Sequence, residues 1–327
     1  MALRTRLNEI LDIEHPIISA PMAFAAGGRL AAAITGAGGL GLLGGGYGDA
    51  EWLEREFAEA GNARVGCGFI TWSLARRPQL LDLVLAHGPA ALMLSFGTPM
   101  PFARSIKDSG AKLICQVQCM EHAREAVAAG ADIVVAQGAE AGGHGFSRAT
   151  FTLVPEVANY LARAAPETVL VAAGGIADGR GLAAALLLGA EGALIGSRFW
   201  ASSEALVNPA FQKRAASADG DATIRTRVVD IVRKLEWPAS FTARVMKTRF
   251  VQDWHGRESE LVEPHVIDRE MRRYVSAMQS GDPDNTGVWV GEAAGLIEDV
   301  RPAADLLKDM VRDAAILLRN RASSLVM

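Results

Sequence analysis

Short apolar runs alternate with amphipathic or Ala/Leu-rich segments along the N-terminal part of the chain. Eight short apolar runs read as strands: 17–20, 40–43, 65–70, 91–94, 113–117, 133–136, 169–172 and 193–195, of which 169–172 is plainly too short and too β-branched for a helix. Between them, Gly36-Ala37, Gly110-Ala111, Gly130-Ala131 and Gly189-Ala190 each close a helical segment and open the next apolar run. Glycine supplies a left-handed helix end, and alanine lets the following strand pack closely. The segments 126–137 and 185–196 align with each other without a gap. Such repetition predicts βα units on a parallel sheet. Eight strands favour an α/β fold closed into a (β/α)8 TIM barrel; an open doubly wound sheet alternates in the same way but is usually shorter.

The alternation stops after the eighth strand. Residues 206–287 are rich in charge and carry helical patterns, such as 267–278, with no clear βα unit. The turn cluster 280–285 ends this segment. A stripe at Ala304, Leu307, Met310, Val311, Ala314 and Leu318 then predicts the barrel's last helix. The expected organisation is a barrel over 1–205, a mainly helical insertion over 206–287 and a C-terminal return over 288–327. An insertion after a barrel strand emerges on the face where every βα loop lies. It is expected to serve as a lid over the site, as the surface of a homodimer, or as both.

Two loops carry the chemistry. The stretch 169–200 reads as strand, double-glycine loop, helix, strand and a second small-residue loop, with Asp178 at the helix N-cap position. Loops without bulky side chains after the last two strands of a barrel let backbone N–H groups converge on an anion, so a phosphate-bearing cofactor is expected. The second loop, 137–146, follows the sixth strand and has glycines at 138, 142, 143 and 145 around one imidazole, His144. Those glycines admit a flat ligand close to the backbone. The ordinary pKa of histidine suits proton transfer near neutrality, which makes His144 the candidate catalytic residue. Glu140 is either its partner or a solvated loop acid.

Half of the residues are hydrophobic and few are aromatic, which suits a compact enzyme core. Charge nearly balances, with 33 basic against 37 acidic residues and no Lys/Arg block. Nucleic acid and acidic membranes are therefore not expected partners. No export signal or membrane span is read, and Cys67, Cys115 and Cys119 read as reduced thiols of a cytoplasmic protein. Cys115, Cys119 and His122 are too few ligands for zinc, so no metal is expected. Glycines 39, 41, 44 and 45 have the wrong spacing for a dinucleotide fingerprint.

On these residues the chain resembles the nitronate monooxygenases, formerly 2-nitropropane dioxygenases, which are FMN-dependent (β/α)8 enzymes. The likeness rests on Ala20-Pro21-Met22-Ala23, Gly38-Gly39-Leu40-Gly41, Ala141-Gly142-Gly143-His144 and 173–198. The last two together are its specific part, and the insertion matches much less well. The resemblance implies that Ala20, Met22, Ala23, Gly68 and Gly143 adjoin FMN. It places the phosphate at Gly174, Gly175, Gly196 and Ser197, counts Ala173 among the residues that bind the cofactor, and makes His144 the catalytic histidine. Two positions depart from the pattern. Gly68 stands where many relatives have Asn, and Gln118 stands where several carry Lys, although Gln118 could still donate a hydrogen bond to the cofactor. Trp72 reads as a pocket wall whose indole N–H needs a partner.

The implied reaction takes an alkyl nitronate, or its parent nitroalkane, and O2 to a carbonyl compound and nitrite. His144 would hydrogen-bond the nitro group or remove the carbon proton. A similar loop occurs in FMN-dependent enoyl-acyl-carrier-protein reductases and NAD(P)H:quinone reductases. An NAD(P)H oxidoreductase acting on an enoyl thioester or a quinone is therefore the alternative. A non-catalytic phosphate-ligand-binding barrel is the alternative of another class, and the glycine-flanked His144 argues against it.

Overall fold

The computed structural model describes residues 3–325. All eight expected strands form: β1 (Ile17–Ser19), β2 (Leu42–Gly46), β3 (Gly66–Ile70), β4 (Ala91–Ser95), β5 (Lys112–Val117), β6 (Ile133–Gln137), β8 (Val169–Ala173) and β9 (Ala193–Ile195). β7 (Gly143–Gly145) lies outside this set. The eight pair in parallel, in the order β1-β9-β8-β6-β5-β4-β3-β2. Just ahead of β2, the Ser19 N–H donates to the Leu40 carbonyl at 2.9 Å and the Leu40 N–H to the Ile17 carbonyl at 3.0 Å, which closes the barrel.

Strand residues alternate between two cores. Ile114, Ile133 and Val135 point into the barrel, while Leu113, Cys115, Val134 and Ala136 face the surrounding helices. The short helix Arg6–Leu11 sends Leu7 and Leu11 into the interior cluster, so the barrel is a packed core with no through-pore. Helix Ala303–Leu325 completes the outer ring by packing on helices Gly179–Leu187 and Gly28–Gly36. The amphipathic stripe had placed it there.

β2 begins later than the apolar run suggested and extends through Gly44-Gly45-Gly46. A Cβ on Gly44 would lie 2.1 Å from the Met22 carbonyl oxygen. Bare backbone at this point lets the loop after β1 rest directly on β2.

The insertion is mostly helical, with its longest helix over Pro264–Ser280. It also contains two strands that its charge-rich pattern did not reveal, β10 (Thr223–Thr226) and β11 (Thr242–Met246). They pair antiparallel, and β11 continues antiparallel onto β7 with Ala243 opposite His144. The insertion has a core of its own around Val228, Val229, Val245, Phe250 and Tyr274. No helix among the described residues is long and apolar enough to cross a membrane.

Candidate active site

A cavity of about 690 Å³ opens at the C-terminal ends of the barrel strands and beneath the insertion. That is within the size range of ligand pockets. Its floor is mostly backbone and short side chains. Ala20, Met22 and Ala23 line it from the loop after β1, and Gly68 from β3. A Cβ on Gly68 would meet the Pro21 ring at 2.3 Å, so a longer residue here would displace the β1 loop. Ala173 ends β8 and is followed by Gly174 and Gly175, with φ of +103° and +72°. Gly196 and Ser197 line the same wall after β9. The backbone N–H groups of Gly175, Gly196 and Ser197 have no protein acceptor among the described residues. Unpartnered donors on bare backbone suit a phosphate, and the flush floor suits a flat ring. The residues present therefore fit a flavin mononucleotide.

His144 and Gly143 reach the cavity from β7. The ladder to β11 holds this strand from the insertion side. Behind it, Arg225 of β10 and Arg244 of β11 both donate to the Ala139 carbonyl. Burial, with Arg244 alongside, brings the Arg225 guanidinium down to about 10, so it is still a cation near neutrality. A short Gly-His-Gly segment has little strand propensity of its own. Its conformation is set by these neighbours.

The insertion also determines the chemistry of the imidazole. His144 Nε2 lies 3.0 and 2.9 Å from the two carboxylate oxygens of Asp230, and both side chains are buried. A carboxylate only accepts, so Nε2 carries the proton. Nδ1, which makes no hydrogen bond among the described residues, keeps its lone pair. Burial lowers the His144 pKa below its ordinary value, against the opposing pull of Asp230; Arg233 and Arg225 add to the lowering. The pair is therefore a neutral imidazole oriented by a carboxylate, and near neutrality it is a base.

The indole of Trp237 stacks on the imidazole, with ring centroids 3.4 Å apart and planes 6° apart. Trp237 Nε1 donates to the Tyr47 hydroxyl at 3.0 Å. Phe24 and Phe96, which also line the cavity, hold left-handed backbone at φ of +61° and +66°. Such strain in non-glycine residues tends to collect at functional sites.

Gln118 is not where the resemblance put it. It is buried beside a smaller cavity, donates to Gln137 Oε1 at 3.0 Å and bonds His122 Nδ1 through its own Oε1. The carboxamides facing the main cavity are Gln116 and Gln137, which bond each other at 2.8 Å. Side chains alternate along a strand, so Gln116 faces the cavity within β5, whereas the chain has turned by Gln118. Glu140 is not the partner of His144. It accepts from the N–H and hydroxyl of Thr150, at the start of helix Thr150–Ala164, and lines the cavity wall beside Gly175. Trp72 is not a wall of the cavity but packs behind it against Tyr47 and Trp237, and its buried Nε1 has no hydrogen-bond partner among the described residues.

Asp230, Trp237, Tyr47 and Arg233 were missed from sequence. The one available signal for Asp230 was a lone carboxylate inside the apolar run Val228-Val229-Asp230-Ile231-Val232. An acid in that setting needs a buried partner. Cys67 and Cys115 are free, and burial pushes both thiols up to about 12. No cluster of metal-ligating residues occurs among the described residues.

A closed parallel barrel with bare-backbone loops and a buried imidazole at its C-terminal face has the layout of an α/β-barrel enzyme, and its relatives make it an oxidoreductase with a flavin cofactor. The chain matches the model of the nitronate monooxygenase family over residues 4–65 and 70–313, and it belongs to that family. It is 32% identical to a nitronate monooxygenase of Neurospora crassa, over 96% of this chain and 93% of that one. It is 30% identical, over 100% of both chains, to the (3aS,4S,5R,7aS)-5-hydroxy-7a-methyl-1-oxo-octahydro-1H-indene-4-carboxyl-CoA dehydrogenase of Mycobacterium tuberculosis. Among solved structures, FabK from Thermotoga maritima superposes with a TM-score of 0.85 at 30% identity, covering 99% of this chain and 100% of that one.

Proposed function

We propose that the protein is an FMN-dependent enzyme that oxidises alkyl nitronates with O2 to carbonyl compounds and nitrite, and that it also accepts neutral nitroalkanes. The observation that carries this reading is the buried His144–Asp230 pair beside a cavity that suits FMN. Gly174, Gly175, Gly196 and Ser197 would hold the phosphate, and Ala20, Met22, Ala23, Gly68, Gly143 and Ala173 would adjoin the remainder of the cofactor. When bound, FMN supplies the electron transfer between organic substrate and oxygen. The protein supplies position and proton transfer. A neutral nitroalkane must lose a carbon proton; His144 Nδ1 takes it, and Asp230 compensates the imidazolium that forms. A preformed nitronate needs no such step. The insertion, which roofs the cavity through Val232, Trp237 and Tyr274, keeps bulk water from the reacting carbon.

The likeness to FabK supports a second reading, in which NAD(P)H delivers a hydride through FMN to an enoyl thioester. Anaerobic mixing of the FMN-loaded protein separates the two. The first reading predicts rapid bleaching of the flavin band by ethyl nitronate and none by NADH or NADPH. Bleaching by a nicotinamide and not by nitronate would replace it with the second.

A further inference from the structure

Beside the His144–Asp230 pair the cavity wall carries a cation whose only part in the proton transfer is to help lower the His144 pKa. The Arg233 guanidinium lies 5.5 Å from the Tyr47 ring centroid and 5.2 Å from that of Trp289, held between two aromatic faces. All three residues line the cavity, and Arg233 forms no ion pair among the described residues. The Tyr47 hydroxyl already accepts from Trp237 Nε1, which leaves its own proton to donate. A cation fixed by stacking, next to a free hydroxyl donor, is built to meet an anion. His144 is poorly suited to that task, because it is neutral and faces a carboxylate.

A second feature adjoins it. Helix Pro264–Ser280 turns Met271, Tyr274, Val275 and Met278 toward the cavity, at the spacing of one helix face. Protein buries Tyr274 fully, yet Val275 and Met278 remain 40% and 38% exposed. Leu206, another cavity-lining residue, is 46% exposed. An apolar stripe on one helix normally packs against the core. Here its outer half is only partly covered by protein and lines the cavity whose wall also holds Arg233.

We propose that the site takes an anionic amphiphile: the negative head sits on Arg233 and the Tyr47 hydroxyl, and an unbranched apolar tail runs out along Met271, Val275 and Met278. This rests on the nitronate reading only for the identity of the head, which would then be the nitronate group. Substrates with several carbons beyond the reacting one are preferred over ethyl nitronate.

Straight-chain carboxylates, which have the head and tail but cannot react, test the subsite by calorimetric titration of the FMN-loaded protein. From butanoate to octanoate, affinity should rise roughly threefold to fourfold per methylene. Arg233→Met should weaken octanoate by roughly tenfold to a hundredfold while leaving neutral 1-octanol and the FMN content at parent values, and Arg233→Lys should restore part of the loss. Met278→Glu should weaken octanoate more than butanoate. Octanoate binding no tighter than butanoate, or carboxylate binding indifferent to Arg233→Met, overturns the proposal. Nitronates from ethyl to octyl provide a second arm. Turnover with a KM that ignores chain length rejects the subsite and keeps the reaction. Chain-dependent carboxylate binding without any nitronate turnover keeps the subsite and rejects the reaction.

Discussion

The barrel and the insertion solve different problems with different parts of the chain. On the barrel side the cavity is made of backbone: the glycine pair after β8, the small residues after β9, and the loop after β1 resting on β2. On the insertion side it is made of side chains, with Arg233, Trp237 and the Met271–Met278 stripe facing inward and Asp230 bonded to the cavity-lining His144. Backbone cradles are indifferent to everything except a flat ring and an anion, as cofactor binding requires. Charged and aromatic side chains discriminate, as substrate binding and proton transfer require. His144 sits at the junction, carried by a barrel loop but oriented from the insertion.

If this division is right, damage on the two sides should separate cleanly. The largest effect is expected from Gly175→Glu. It strains a backbone at φ +72°, places a Cβ 3.3 Å from that of Glu140, and brings a second carboxylate to the anion cup. Burying like charge there should weaken FMN binding by roughly a hundredfold or more. Gly36→Glu, at a site with open space around the Cβ, should retain FMN. Equal flavin content in the two folded variants would move the cup elsewhere.

Asp230→Asn attacks the other side and should spare the flavin. Turnover of neutral nitroalkane should fall by roughly tenfold to a hundredfold, since the imidazole loses the group that offsets its positive charge. The pH profile gives the sign of the effect. The base form of His144 is the working form, so activity is full above its pKa and lost as pH falls through it. Burial puts that acid limb below the ordinary value of 6.5. Removing Asp230, which pulls the pKa upward, should move the limb further to acid. An unmoved limb with an equal loss of rate would reduce Asp230 to a packing role.

Trp237→Phe is the mildest test. It keeps an aromatic face against His144 but deletes the 3.0 Å bond to the Tyr47 hydroxyl. A change of roughly fivefold in KM for the anionic substrate, with kcat nearly constant, corresponds to one neutral hydrogen bond. A large fall in kcat would show that the indole positions the base itself.

The same contrast explains what could be read from the sequence. The barrel was legible because its signals are local and repeated. A Gly-Ala step ends each of four helices, and strands such as Ile133–Gln137 are buried throughout. His144 was legible because glycines with no evident packing role surround it. Three of the four do pack: a Cβ would lie 1.9 Å from Thr150 Oγ1 on Gly138, 2.6 Å from the Gly291 nitrogen on Gly142 and 2.8 Å from the Arg225 guanidinium on Gly145, and only Gly143 has open space around it. The insertion was not legible, because its order is tertiary. β10 and β11 are joined by a long, mostly irregular connection whose one short helix is Val228–Ile231, and not by a tight turn, so no hairpin signal exists. Asp230 is defined only by a histidine 86 residues away in sequence. Gln118 shows the opposite hazard. A motif position transferred from relatives fell two residues beyond the glutamine that lines the cavity.

The claim that the two regions meet in one proton-transfer device is tested most directly by His144→Asn, assayed side by side with nitroethane and with preformed ethyl nitronate. Asparagine keeps a hydrogen-bond donor and loses the base. The account predicts that nitroethane turnover falls by roughly 10²–10⁴, as for loss of a general base, that nitronate turnover falls far less, and that FMN content is unchanged. Equal losses with both substrates, or undiminished nitroethane turnover in a variant that still holds FMN, would contradict it.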